Sequence, residues 1–454
     1  MIKSLSPKLN LLVVLLSLIS ISACNTGGNI TFADDIAPII HQNCTPCHQT
    51  NGGAPFNLIS FQDVAKRAKM IALVTSNRYM PPWPADKNYS HFINEKSLSD
   101  EQIKTIKLWF ENGCKPGDTA SLQLPVLNNF TSVLGKPDMI LNVRHVVVKG
   151  DNKDKFYVLK MPYQIPNAKF VKAVEFMPAQ LKYAHHVNGH YLSFTNETNP
   201  FSGSDLLDIE SENYDEEFKN MNLFNHDGSA PFRVHSAFNY LPGAFGVRYP
   251  AGIGGFLMSP KGAFVANDIH YGPSRESVTD SSKLFIYFAD KAPERSTFEI
   301  MMGTNGVSEI VPPLQVPAGK ITNHISKLTI YNDISVLTVN PHMHLIGKKF
   351  KAYAVKPNGD TVKLISIPKW QFRWQYFYTF QYPVKIPKGS TIIVEAQFDN
   401  TASNPNNPNL PPLPIGERLD RGGASMRTAD EMLQFIITYM PYQKGDESID
   451  LSKP

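Results

Sequence analysis

Asn340-Pro341-His342-Met343-His344-Leu345-Ile346-Gly347 follows an alternating run from Ile334 to Val339. On a β-strand side chains alternate faces, so His342 and His344 project the same way. Two neutral imidazoles on one face of a rigid strand can hold a metal ion. Two surface histidines near a strand end would leave the same pattern. Other stretches carry the same chemistry. Tyr183-Ala184-His185-His186-Val187 sets two histidines side by side. Neighbours on a regular strand face opposite sides, so both reach one metal only at a bend or strand end. Asp268-Ile269-His270-Tyr271-Gly272-Pro273 puts a lone histidine where a strand closes, with His190 and His235 as reserves if His270 is structural. Met432, in Asp430-Glu431-Met432-Leu433-Gln434, opens a last strand from Leu433 to Met440. Taken singly, a strand histidine is more often a satisfied core group and a methionine more often packing. His41, His91, His145, His226 and His324 have no assigned role.

Cys44-Thr45-Pro46-Cys47-His48 has the C-x-x-C-H spacing of covalent c-type haem attachment. Two thiols add to the two vinyl groups and the next histidine is carried under the iron. A thioredoxin-like pair is the rival, but no βαβ pattern surrounds the motif. The flanks read as helices. One spans Thr31 to His41, with Asp34 and Asp35 in its first turn; another spans Phe61 to Thr75. Ser99-Asp100-Glu101-Gln102 is a capping box that opens a helix with Ile103, Ile106, Trp109 and Phe110 inward and Gly113 as its stop. Met80, in Arg78-Tyr79-Met80-Pro81-Pro82-Trp83-Pro84, is the candidate sixth iron ligand, because prolines stiffen its loop. Met70 is the rival, but lies mid-helix and is expected to pack. The region resembles a small class I-like cytochrome c, and methionine/histidine ligation implies a high potential suited to electron transfer.

The chain's 454 residues are enough for about three domains at ~150 residues each. Its 42% hydrophobic and 19% charged residues fit packed domains. With 35 prolines against 28 glycines, short strands and turns are favoured over long helices. A net charge of +4 without a dense Lys/Arg cluster gives no reason to expect a nucleic-acid partner. Lys3 and Lys8, the apolar run Leu9 to Ile21 and Ser22-Ala23-Cys24 read as a leader. Its end resembles a bacterial lipobox, which implies cleavage before Cys24, acylation of its thiol and an exported chain anchored to the membrane by lipid. An uncleaved N-terminal anchor is the alternative. Cys114, the fourth cysteine, is then alone and reads as a packed thiol, so the later domains must rest on core burial rather than disulfides.

From Val133 onward the pattern turns to short alternating strands broken by Pro, Gly and Asn, such as Lys155 to Leu159, Leu284 to Phe288 and Phe350 to Val355. This is the pattern of β-sandwiches or jelly rolls. Pro260-Lys261-Gly262 and Pro387-Lys388-Gly389 each lead into an apolar strand; aligned, they set His270 on Gln397 and suggest two related sandwiches. The expected architecture is multidomain: a leader (1–24), a small all-α haem domain (25–118), a linker (119–130) and two all-β domains (131–308 and 309–454).

Three histidines in one sandwich and a His-x-His pair with a methionine in the next resemble the copper type II monooxygenases, the family of peptidylglycine α-hydroxylating monooxygenase and dopamine β-hydroxylase. The marks are His185-His186, His270-Tyr271-Gly272, His342-Met343-His344 with Gly347, and Asp430-Glu431-Met432. The resemblance implies two copper ions. His185, His186 and His270 would form the electron-accepting site, and His342, His344 and Met432 the oxygen-binding catalytic site, where a thioether favours Cu(I). It also implies dioxygen, a small-molecule or peptide substrate, and an external reductant feeding electrons through the fused haem. The animal enzymes are disulfide-rich; this chain is not. The peptidylglycine enzyme grips a substrate carboxylate from positions that here hold Asn340, Gln434 and Ile436, so a glycine-extended peptide is disfavoured. A non-enzymatic haem–copper carrier is the second reading. A surface-binding sandwich with incidental histidines ranks last.

Overall fold

The computed structural model describes residues 30–453 except 51, 126, 128–131, 133, 244–247 and 419–426. The leader and Cys24 lie outside the described residues, as does part of the linker. Among those described, no helix is long and apolar enough to cross a membrane.

The segment before residue 118 folds as short helices round one apolar cluster that includes Phe32, Ile36, Ile40, Val64, Ile71, Ile106 and Trp109. Thr31 caps the first turn, its hydroxyl accepting from the Asp34 N–H, and the chain continues as the helix Ala37–Asn43. The single helix expected from 61 to 75 is two, Phe61–Ala65 and Ala68–Ser76. It breaks where Arg67 leaves helical geometry and lays its guanidinium 4.3 Å from the centre of the Phe56 ring. The Ser99 capping box forms in both directions and starts Asp100–Glu111, with Ile106 and Trp109 buried. Met70 is 40% exposed and does not pack as expected. Cys114 is half-buried against the cluster, and burial pushes its thiol up.

The rest of the chain is β-structure. In the first sandwich a five-stranded sheet runs in the order Leu206–Asp208, Lys155–Gln164, Lys261–Tyr271, Ala184–Ser193, Phe232–Tyr240. It belongs with a four-stranded sheet of Met139–Asn142, Lys283–Phe288, Lys169–Met177 and Phe256–Met258. Side chains from both sheets, among them Phe176, Val187, Tyr191, Phe264 and Ile286, share one core. The second sandwich repeats the plan. Phe298–Gly303, Leu433–Pro441, Ile334–Met343 and Tyr378–Ile386 form its four-stranded sheet. Ile310–Val311, Ile321–Thr329, Thr391–Asp399, Gly347–Val355 and Thr361–Ile367 form the five-stranded one. The two strands aligned through Pro-Lys-Gly both take the central place of a five-stranded sheet. Phe298–Gly303 pairs with Leu433–Pro441, so this strand, placed before a boundary at 308/309, lies in the second sandwich.

The helical segment is not a separate bead. Trp83 and Phe92 pack with Tyr376, Tyr378 and Phe380, with neighbouring ring centres 5.0 to 5.3 Å apart. The Asp86 N–H donates to the Ser366 carbonyl (2.8 Å) and the Ile93 N–H to the Thr379 carbonyl (2.8 Å). The stretch that follows Met80 is therefore built into the second sandwich.

Candidate metal centres

The His185–His186 problem is solved by a bulge. Ala184 pairs with Tyr271 and His186 with His270, and the register shifts between them, leaving His185 as the extra residue. A bulge re-aims a side chain. His185 and His186 both reach His270, with ring centres 4.7 and 5.0 Å from it. The His186 Nε2 meets Asp268 Oδ2 at 2.8 Å and the His270 Nε2 meets Asp154 Oδ1 at 2.7 Å. The Nδ1 atoms of His186 and His270 are buried without a partner. Unpaired buried nitrogens are costly unless something occupies them, and carboxylates behind imidazoles are the usual outer support of a metal site. Ligand atoms of Asp154, His185 and His270 also lie within 4.8 Å of one another. Burial holds His185 down to about 3 and His270 to about 4, so both are neutral and available to a cation at neutral pH. A Cβ at Gly272 would stand 2.5 Å from His185 Nε2, so only glycine lets this ring sit where it does. Asp154, His185 and His270 fit a metal ion; among the described residues His186 does not join that group, and Asp154 takes the third place expected for it.

The second cluster follows from register. In the pairing of Ile334–Met343 with Leu433–Pro441, His342 faces Gln434 and Met343 faces Leu433. The pairing ends there, and His344 and Met432 are the next residue on either side of it. The two imidazoles stand 5.1 Å apart at 87°. The Gln375 Nε2 donates to the Phe372 carbonyl (2.9 Å), which leaves Oε1 to accept from His342 Nδ1 at 2.6 Å. The His344 Nδ1 donates to the Asp430 carbonyl at 3.0 Å. Both Nε2 atoms are thereby left with a lone pair. Burial lowers His342 and takes His344 down to about 3. Met432 lines the same 120 Å³ cavity as the two histidines. Glu431 ties the assembly together, accepting from the N–H groups of His344 (2.9 Å), Ile346 (2.8 Å) and Met432 (3.2 Å). Burial pushes its carboxyl up to about 8 against the pull of those three donors. Two imidazole nitrogens and a thioether suit a soft cation such as Cu(I).

The clusters face each other across the junction of the sandwiches. The cavity beside the second is also lined by Asn188, His190, Arg233, His235 and Asp268 of the first. The Phe372 ring lies 5.8 Å from His186 and 5.8 Å from His344. His190 donates from Nδ1 to the His235 carbonyl (2.7 Å) and faces the second cluster's cavity, so it does not replace His270. His324 uses both nitrogens, on the Pro312 carbonyl and the Thr322 hydroxyl, and is structural. Asp154, Asp268, Phe372, Arg373 and Gln375 were not singled out from sequence. Asp268 sits two residues before His270, on the same strand face, and a carboxylate there was a usable signal.

At the other end of the chain, Cys44 and Cys47 are free thiols. Burial, then the nearby Cys47, pushes Cys44 up to about 12, and burial raises Cys47 as well. A reactive dithiol needs the opposite shift. The His48 Nδ1 donates to the Phe56 carbonyl at 3.0 Å, the usual anchor of a ligating imidazole, and this leaves Nε2 for a metal. A cavity of 580 Å³ opens beside Cys47, within the ~300–1,000 Å³ of cofactor sites, and its walls include Trp83, Lys96, Arg248 and Tyr376. Of the motif's residues Cys47 lines this cavity, while Cys44 and His48 do not. Met80 lines a neighbouring cavity of 350 Å³ rather than this one.

Residues 297–407 match the family model of the copper type II ascorbate-dependent monooxygenase C-terminal domain. The stretch holds His342 and His344 and stops short of Met432. The second sandwich is thus a copper monooxygenase-type domain, and copper is the metal expected in it. No curated protein matches the chain. Among solved structures it is similar to the major capsid protein P2 of bacteriophage PM2, at 9% identity over 68% of this chain and 99% of that one, TM-score 0.23. It is also similar to the infectious bursal disease virus VP2 subviral particle, at 9% identity over 66% of this chain and 79% of that one, TM-score 0.16. At such scores these likenesses carry no argument.

Proposed function

We propose that this chain is a copper-dependent monooxygenase that hydroxylates a C–H bond and draws its electrons through a covalent haem c held by Cys44, Cys47 and His48. One oxygen atom of dioxygen enters the substrate and the other leaves as water, consuming two electrons and two protons from outside. Copper, when bound, supplies the one-electron chemistry that activates dioxygen. His342, His344 and Met432 hold it where substrate enters, and Gln375 and Asp430 fix the tautomers that present Nε2. His185, His186 and His270 hold the second ion, with Asp154 and Asp268 orienting their rings. Met80 is the sixth haem ligand in this reading. Cys24, as a lipidated residue after an export leader, anchors the chain to a bacterial membrane on its periplasmic or outer face, where a redox protein or small reductant donates.

The observation that carries the reading is the pair of buried, partnerless Nδ1 atoms on His186 and His270, in a chain whose next sandwich matches a copper monooxygenase-type domain. A haem–copper electron carrier is the second reading. It is favoured by the cavity beside His342, whose 120 Å³ is below the ~300 Å³ at which small-molecule pockets begin. The test is to mature residues from Asn25 onward with haem, load copper, desalt and count metals. Two coppers per haem and oxygen uptake coupled to a hydroxylated product support the enzyme. Two coppers without coupled oxygen uptake on any substrate support the carrier, and one copper or none removes the two-centre reading.

A further inference from the structure

Two cavities meet at the edge of the first sandwich. The smaller, of 120 Å³, is lined by His342, His344 and Met432. The larger, of 350 Å³, lies between Phe232–Tyr240 of the first sandwich and Phe298–Gly303 of the second. Arg233, His235 and Phe377 line both. Phe232–Tyr240 is an edge strand, and its pairing with Ala184–Ser193 loses register beyond Gly189. His235, Ser236 and Ala237 stand between the pairs made by Val234 and Phe238. The N–H groups of His235 (2.7 Å) and Ser236 (2.9 Å) donate instead to Glu299 on the facing strand.

Arg233 has no such partner. It is half-buried. Burial pulls its guanidinium below the ordinary value, and no neighbouring charge among the described residues offsets this. Two carboxylates line the cavities, and both are taken: Asp268 holds His186 at 2.8 Å and Glu299 holds the edge strand. A desolvated cation left unpaired is costly, and the guanidinium fork matches a carboxylate through two parallel hydrogen bonds. The larger cavity falls within the ~300–1,000 Å³ of small-molecule sites. Phe232, Phe238, Phe256, Phe298 and Tyr439 give it aromatic walls.

We propose that the two cavities form one binding site for an organic carboxylate. Arg233 grips the carboxylate at the shared wall, the aromatic side chains of the larger cavity take the apolar body, and the smaller cavity takes the reacting end. The inference rests on the monooxygenase reading only in calling this ligand the substrate, since the site is made of protein groups alone. Arg233 is its specificity-determining residue. It belongs to the other sandwich from Asn340, Gln434 and Ile436, which stand where the peptidylglycine enzyme grips its carboxylate. The division also answers the size of the smaller cavity, because only one end of the ligand has to enter its 120 Å³.

The test uses the full chain, haem-matured and copper-loaded, and the same chain after copper is removed with a chelator. The probes are 2-naphthoate, the neutral 2-naphthalenemethanol and the cationic 2-naphthylmethylammonium, titrated by calorimetry. One 2-naphthoate per chain should bind at least about tenfold tighter than the alcohol, with or without copper, and the ammonium should not bind. Arg233→Met should cost 2-naphthoate at least about tenfold and leave the alcohol within about threefold, with copper content and melting temperature kept. Arg233→Lys, which keeps the charge and loses the fork, should fall between. Thr297→Trp, which puts bulk into the larger cavity, should weaken acid and alcohol alike. Equal affinity for acid and alcohol overturns the proposal, as does a parent-like affinity in Arg233→Met. If Arg233→Met does not fold, the comparison of acid, alcohol and ammonium on the parent chain decides. Binding of 2-naphthoate that vanishes with copper assigns the carboxylate to the metal and overturns the role of Arg233. A chain that retains no copper yet binds 2-naphthoate through Arg233 overturns the monooxygenase reading and leaves the site standing. Bound copper and coupled oxygen uptake without binding of 2-naphthoate overturn the site alone.

Discussion

Asp268→Asn is the sharpest probe of the first centre. His186 is fully buried, and its Nε2 is held by Asp268 Oδ2 at 2.8 Å. Burial would raise the Asp268 carboxyl, but the charge and hydrogen bond of His186, followed by His270 and His342, bring it down to about 2. The carboxylate is therefore charged at every working pH and holds the imidazole by Nε2, leaving Nδ1 free. Asparagine keeps the shape and removes the charge. Loss of a support of this kind lowers metal affinity by roughly 10–100-fold, or about 1.4–2.7 kcal/mol. Copper is titrated against a competing chelator, with EPR resolving the two centres. The first centre should weaken by that factor, while the second, whose own supports are Gln375 and Asp430, stays within about threefold, the residual being Coulombic. An unchanged first-centre affinity, or equal weakening of both centres, would refute the assignment of Asp268 as the support of His186.

Gly272→Ala should drive a methyl group into His185, costing about 1–3 kcal/mol of overpacking, and should remove first-centre copper while the second centre stays filled. Met432→Ala should lower copper per chain by one under reducing conditions and spare the first-centre EPR signal; retention of both ions would place the thioether elsewhere. Asp446 accepts two hydrogen bonds from Arg295 (2.8 and 2.9 Å) and one from Ser335 (2.6 Å). Removing one partner of such a buried pair by Asp446→Ala should cost about 3–5 kcal/mol in urea unfolding. Burial raises the Asp446 carboxyl, but the Arg295 and Ser335 hydrogen bonds lower it further, to a net value below normal. Its stabilisation is thus complete above the unfolded value near ~3.9 and is lost as pH falls through the lower folded one. The alanine variant should lack that share of the acid sensitivity.

Sandwich strands could be read from residue order because a half-buried strand must alternate. Thr391–Asp399 does so, burying Ile392, Val394, Ala396 and Phe398 in turn. Caps were legible for the same local reason, since Ser99 and Gln102 satisfy each other within one turn. What failed locally was continuity: the helix breaks at Arg67, whose guanidinium lies over Phe56, eleven residues away. The place of Phe298–Gly303 was hidden because a strand shows its period but not its partner.

The candidate site divides the same way. That His342 and His344 share a face follows from a period of two and needs nothing beyond the chain order. That two adjacent histidines require a distortion also follows, but the bulge that supplies it is made by the pairing of Ala184 and His186 with Tyr271 and His270. Met432 reaches the cavity of His342 and His344 only through an antiparallel pairing of strands some ninety residues apart in sequence. Asp154, Asp268 and Gln375 enter as supports of histidines on other strands, and Tyr376 shares a cavity with Cys47 from the far side of the chain. Residue type and short-range periodicity are properties of the chain itself. Which nitrogens remain free, and which groups stand behind them, depends on hydrogen bonds between distant segments, and these exist only once the sandwiches have packed.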